Sequence, residues 1–399
     1  MMLHSLTSLR FFAAIVVFLS HLGGCLRLHP DNILLTQIFF KLHGVGVLFT
    51  RLGIPVLSLF FILTGFVITY SYENKIKMQH ITKAQFLFLR FARIYPTYLL
   101  TMLLIFPLLL FQFIKELPSE LHPFIILIKA LTNLTLLHGF IPDHFALLEN
   151  PNIPSWGLSV DLFFYFTFFH LVSLSKRKFS LLSASLLFFT LTWIILKFNH
   201  STMNETYVKE IYLLLTSPFF RIIDFLTGMS LARLFISMKG KISYPLLFNI
   251  LEPVAIGLYF LFFYLEVKLK IHIFFAIDLY YLFPMGLIIF VFAFQRGFIS
   301  KLLQNRLLVF LGHTSFAIFI YHWIILTYAS RIIRHFDIQI HTTSAVLATI
   351  ATVLGSTILV SIINYKYFEQ PLYRLARRWC VNFENPRNIR REQSIPLTL

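Results

Sequence analysis

LRFFAAIVVFLSHLGGCL, residues 9–26, is the stretch on which the reading of this chain turns. Its apolar run suits a membrane helix, yet it carries Arg10 near its start and His21 near its end. About three full turns separate the two, so a helix points both side chains the same way, roughly 16 Å apart along its axis. A charge and an imidazole on one stripe of a membrane helix are costly unless they face a polar cavity. The stripe therefore reads as one wall of an active site.

The surrounding chain supports a membrane setting. Its 399 residues are 58% hydrophobic and only 13% charged, with a mean hydropathy of +0.78. A soluble domain would be about a quarter charged. Ten segments are apolar and long enough to span: 9–26, 52–72, 94–114, 155–175, 179–198, 211–235, 246–266, 272–294, 307–330 and 343–366. The expected fold class is an all-α integral membrane bundle of about ten transmembrane helices. Placing the N-terminus inside puts most lysines and arginines in cytoplasmic loops, which predicts that both termini are cytoplasmic. The net charge of +17 is then a matter of topology and lipid headgroups, and no nucleic-acid partner is expected.

Residues 1–370 read as one multi-pass domain and 371–399 as a basic cytoplasmic tail that becomes disordered. The first helix lacks a basic leader and a small-residue cleavage site, so it reads as retained. Cys25 and Cys380 are expected on opposite membrane faces, so no disulfide between them is expected. The longest outer loop is 116–154, and 123–140 within it reads as a re-entrant or interfacial helix. The chain holds no P-loop, GxGxxG, GxSxG or HExxH pattern, and no metal site is expected.

The polar residues inside the spans divide by depth. Arg90 and Arg93, in FLRFARIYP, are three apart and share a face if their helix starts early. With Arg10 they form a cationic cluster at the inner surface, suited to phosphates; the plain alternative is positive-inside anchoring. His21 lies toward the outside, as a candidate base or a satisfied buried histidine. Asp161 and Tyr165 share a face of the fourth span, and Asp161 needs a partner such as a histidine. His322 is a second candidate base, with a structural interhelical bond the favoured reading. Arg221 and Asp224 read as a self-contained ion pair, and Glu369 and Arg374 as structural. HGFIPD at 138–143 has HxxxxD acyltransferase spacing, but two residues in an outer loop carry little weight. An acyl-CoA entering from the cytosol, its nucleotide on the arginines, would thread its arm up the stripe to His21.

These residues resemble the membrane acyltransferase family 3. The likeness runs through LTSLRFFAAIVVFLSH (6–21), SLFFILTGFVI (58–68), RFARIYP (90–96), PSWGLSVDLFFY (154–165), SPFFRIIDFLTGM (217–229), LGHTSFAIFIYHW (311–323) and YFEQPLYR (367–374). Each is loose alone; seven in order are specific. Asp161 departs from the usual Glu, Gly157 and Thr64 stand in place of serines, and Ile324 in place of a proline. The resemblance implies acyl transfer from acyl-CoA, acetyl-CoA above all, to an acceptor hydroxyl. It implies a catalytic His21, with Asp161, Tyr165 and His322 as further catalytic candidates, a donor site of Arg10, Arg90 and Arg93, and Trp156 and Ser159 as substrate-binding residues. Bacterial members acetylate O-antigen and other sugars, so a surface polysaccharide or lipid-linked oligosaccharide is the expected acceptor and the bacterial inner membrane the expected location. Some relatives carry a fused esterase-like domain; these 399 residues hold none, which implies action alone or with a separate partner. The rival readings are a transporter or flippase of a lipid-linked or acidic solute, and an acyltransferase acting on a small molecule or lipid.

Overall fold

The computed structural model describes residues 2–26, 45–115, 130–141, 152–197, 205–242, 244–338, 340 and 342–382. Within them there are helices and turns and no strand. A backbone in lipid must satisfy its own hydrogen bonds, and the helix does so within one segment. The chain runs through α1 (His4–Leu26), α2 (Val45–Lys77), α3 (Lys83–Lys115), α4 (Trp156–Ser173), α5 (Lys176–Lys197), α6 (Glu205–Thr216), α7 (Pro218–Met238) and α8 (Pro245–Leu269). It continues through α9 (Ile273–Asp278), α10 (Leu282–Ala293), α11 (Phe298–Leu303), α12 (Arg306–His335), α13 (Thr343–Asn364) and α14 (Gln370–Asn382). Among the described residues, nine helical stretches are long and apolar enough to cross a bilayer.

The central layer is α1, α2, α7 and α12, with α1 packed between α2 and α12 and α2 against α7. Most of α2 is enclosed, whereas α5, α8 and the stretch from Ser344 expose most of their length. Phe188, Leu196 and Leu246 on those outer helices are each about 70% exposed, which marks a lipid-facing rim. Between lipid-like surfaces, helices associate through close packing, so small residues mark the tightest crossings. A Cβ on Gly228 of α7 would stand 2.0 Å from the Ile62 carbonyl oxygen of α2. One on Gly65 of α2 would stand 2.2 Å from the carbonyl oxygen of Phe225. Neither backbone can yield locally. Gly228→Ala is expected to force α2 and α7 apart and cost about 1–3 kcal/mol. The thermal midpoint of the detergent-extracted protein checks this, with Gly257→Ala, which meets nothing within 4 Å, as the silent control.

The start of α1 is fastened. Ser5 Oγ donates to the Phe292 carbonyl at 2.7 Å, Ser8 Oγ to that of Leu303 at 2.5 Å, and Gln295 Nε2 to that of Met2 at 2.7 Å. A Cβ on Gly312 of α12 would stand 2.1 Å from the Thr7 carbonyl oxygen, so α12 presses on the same turn. The helix that carries Arg10 and His21 is thereby held in register against α10, α11 and α12.

Two expected spans change, and two other segments gain detail. The sixth span, 211–235, is two helices, because Ser217 is extended and Pro218 opens α7 as a fresh N-terminus. The eighth, 272–294, is likewise divided into α9 and α10. The first part of the tail is a helix, α14, which runs to Asn382 and packs on α3. Of the re-entrant segment, the helix ends by residue 135 and a 3₁₀ turn follows at His138–Phe140. The first part of that segment, Asp143 and residues 383–399 lie outside the described residues. So does the side chain of Cys25.

Candidate active site

Helix α3 begins at Lys83, well ahead of the predicted 94, so Arg90 and Arg93 both sit inside it. Three positions apart, they share a face, as the sequence required. Arg90 is buried at 6% exposure in an aromatic box: its Cζ lies 4.6 Å from the Tyr72 ring centroid, 5.6 Å from Phe86 and 5.8 Å from Tyr165. Such a cage holds a guanidinium by its faces and leaves the edges for hydrogen bonds. Arg93 and Arg10 are less enclosed. Arg10 feels the charges of Arg93, Arg90 and Asp161 and adjoins the Tyr165 phenol, so α1, α3 and α4 converge here. Its Nε and the Asp161 Oδ1 are buried without a hydrogen-bond partner among the described residues.

The cluster has a counter-charge that the sequence reading treated as structural. Glu369 ends a π-helical turn, Tyr365–Glu369, between α13 and α14; it is 3% exposed and within electrostatic range of Arg93 and Arg10. Its Oε2 also lacks a hydrogen-bond partner among the described residues. Single π turns occur often at functional sites. The legible signal was charge balance: three arginines at one depth need carboxylates, and Asp161 supplies only one. Nearby, His313 lies in range of Arg93, Arg10 and His4. His4 opens onto a cavity of about 750 Å³ at the N-terminal face that Lys239, Arg296 and Gln304 also line. The lining of that cavity is thus basic, like the cluster itself.

Three turns along α1, His21 meets His322 of α12. Their rings lie 5.1 Å apart, with His322 Nε2 3.2 Å from His21 Nδ1. Trp323 stands edge-on to His21 at 5.6 Å. His322 is fully buried, while His21 retains some exposure. The partner of His21 is therefore His322. Asp161 lies with Arg10, Arg90 and Thr64, deeper toward the N-terminal face than the sequence reading placed it. One helix thus carries two sites: clustered cations that can bind an anionic group, and an accessible imidazole that can take a proton.

Residues 3–363 match the family profile described as an acyltransferase domain. The chain belongs to the membrane acyltransferase family 3. It is a multi-pass membrane protein of that family. The acyltransferase MdmB of Streptomyces mycarofaciens is 33% identical over 175 residues, which cover 42% of this chain and 38% of that protein. Protein 2 in the picA locus of Rhizobium radiobacter is 33% identical over 116 residues, 26% of this chain and 59% of the relative. The chain thus spans less than two thirds of the length of either curated relative. No solved structure matches it.

The remaining expected residues of this acyltransferase-family chain are internal. Trp156 is 6% exposed, its ring 5.9 Å from Phe61. Ser159 is fully buried and its Oγ accepts from the Gly139 N–H at 3.2 Å. Both are buried; Ser159 holds the 3₁₀ turn at 138–140 against α4, and a Cβ on Gly139 would stand 2.7 Å from that of Ser159. Tyr165 is 5% exposed and serves the Arg90 box. His138 of the HxxxxD pattern is buried, with Nε2 3.1 Å from Ser155 Oγ, and burial pushes its imidazole down to about 4. It is therefore a neutral hydrogen-bonding group in the physiological range.

Proposed function

We propose that this protein moves an acyl group, acetyl above all, from cytosolic acyl-CoA to a hydroxyl of a cell-surface polysaccharide or lipid-linked sugar such as O-antigen. The bacterial inner membrane is its place, with the N-terminal face toward the cytoplasm. What supports the reading is the placement of two chemistries on one helix, the arginine cluster and the His21–His322 pair, separated by a rise of roughly 16 Å. That spacing suits a thioester donor whose phosphates stay near one face while its arm reaches across half the bilayer.

The step needs no group beyond donor, acceptor and side chains. Arg10, Arg93 and Arg90 hold the donor phosphates by charge-assisted hydrogen bonds, with Asp161 and Glu369 setting the arginines' geometry. The acceptor hydroxyl gives its proton to His21, and its oxygen attacks the thioester carbonyl carbon. As the carbon–sulfur bond breaks, the proton passes from His21 to the leaving thiolate. The products are the ester and free CoA thiol.

The test is transfer of labelled acetyl from acetyl-CoA into base-labile ester on envelope polysaccharide, in membranes containing the protein. In the same assay Arg93→Gln is expected to raise the donor KM about tenfold, a loss near 1.4 kcal/mol, with a smaller effect on kcat. Donor-independent labelling, or an unchanged KM in Arg93→Gln, would count against the assigned donor site. Accumulation of a solute in proteoliposomes without acyl-CoA would replace the enzyme reading with the transporter one.

A further inference from the structure

Histidine has two ring nitrogens, and which one carries the proton decides whether it can act as a base at the right place. We infer that His322 is a positioning residue that locks His21 in its Nδ1–H tautomer and leaves the His21 Nε2 lone pair as the base. The inference rests on the acyl-transfer reading of His21 and specifies how that residue is prepared.

Two backbone carbonyls carry the argument, because a carbonyl only accepts. The Phe319 carbonyl oxygen lies 2.6 Å from His322 Nδ1, so the His322 proton is on Nδ1. A neutral imidazole has one N–H, so His322 Nε2 holds a lone pair. The Val17 carbonyl oxygen lies 3.0 Å from His21 Nδ1, so the His21 proton is also on Nδ1. That N–H is 3.2 Å from His322 Nε2 and donates to it as well. Three of the four ring nitrogens are then committed, and the arrangement is consistent with both rings neutral. The fourth, His21 Nε2, is bonded by no group among the described residues, and His21 is the ring with residual exposure while His322 has none. Trp323 against the His21 ring holds its plane.

The logic is that of a base oriented by a third group, with an imidazole in place of the usual carboxylate. When His21 Nε2 takes the acceptor's proton, the imidazolium that forms keeps its Nδ1–H on His322 Nε2 and on the Val17 carbonyl. Without His322, the ring keeps only the carbonyl within its own helix. With one of the two hydrogen-bond acceptors that fix the proton on Nδ1 gone, the tautomer with the proton on Nε2 is populated, and it presents an N–H toward the acceptor where a lone pair is needed.

The full-length protein, ¹⁵N-labelled at histidine in lipid nanodiscs, provides the test. The His21 signals are assigned by their loss in His21→Ala. The expected result is a protonated Nδ1 and an unprotonated Nε2 on His21; a protonated Nε2 in the resting protein overturns the inference. His322→Phe removes the acceptor, and is expected to lower kcat about 100-fold with donor KM unchanged and to populate the other His21 tautomer. His322→Gln presents an amide oxygen to the His21 N–H and is expected to recover all but about tenfold of the loss. Wild-type kcat in His322→Phe, or a His322→Gln no better than His322→Phe, overturns it. The tautomer is read without turnover, so a locked tautomer in a protein that transfers no acyl group would reject the enzymatic reading and leave the pairing standing.

Discussion

Replacing His21 by alanine is expected to reduce acyl transfer by about 10²–10⁴-fold, the range that removal of a general base produces. That is roughly 3–5 kcal/mol of transition-state stabilisation. The loss should fall on kcat, because donor binding is assigned to Arg10, Arg90 and Arg93 near the far end of the same helix. The fold should tolerate the change: His21 is only partly buried, and its hydrogen bonds go to its own helix and to His322. The cost to stability is an unpartnered His322 Nε2, about 1–3 kcal/mol for a buried acceptor. The comparison must therefore be made at equal membrane levels of the two forms. Base-labile label that vanishes with His21→Ala places the chemistry on α1. Undiminished label would falsify the assignment and direct attention to other accessible groups.

The largest stability effect is expected at Asp224. Arg221 is fully buried, and its guanidinium is a junction of four helices. Nη1 donates to Asp224 Oδ2 at 3.2 Å, to Ser58 Oγ of α2 at 3.2 Å and to the Ile277 carbonyl of α9 at 3.0 Å. Nε donates to the Leu215 carbonyl of α6 at 2.9 Å. The pair is thus no self-contained ion pair on one helix face. Asp224→Ala leaves a buried positive charge without its carboxylate, a situation that costs about 3–5 kcal/mol. The double change Arg221→Met with Asp224→Leu removes both charges and should be far milder, because no uncompensated charge remains. Thermal unfolding of the extracted proteins checks the order. Equal destabilisation by the single and double changes would mean that the packing of the side chains, and not the charge balance, holds this junction.

The sequence by itself determined what can be read one helix at a time. Length and hydropathy decide whether a segment spans, since bilayer thickness sets the number of apolar residues required. Helical periodicity placed Arg10 and His21 on one stripe and paired Arg90 with Arg93. The order of seven loose motifs specified the family. Where Pro218 follows Ser217, a proline compatible with a helix's first turn was hidden inside a continuous apolar run. Composition could not register the break, because hydropathy is averaged over a window and a cap is a single dihedral.

Only the tertiary structure decided who pairs with whom. Sequence spacing measures rise and rotation within a helix but carries no information on which helices are neighbours. The partner of His21 lies 301 positions away, on α12, and Asp161 has an arginine neighbour where a histidine was expected. Glu369 joins the arginines because a π turn brings the end of α13 back beside α1 and α3, and Trp156 and Ser159 turn out to be occupied with Phe61 and Gly139. The physical reason is common to all four. A buried polar group must find its hydrogen bond or counter-charge in three dimensions, and close helix crossings such as Gly65 with Gly228 decide which groups come within reach.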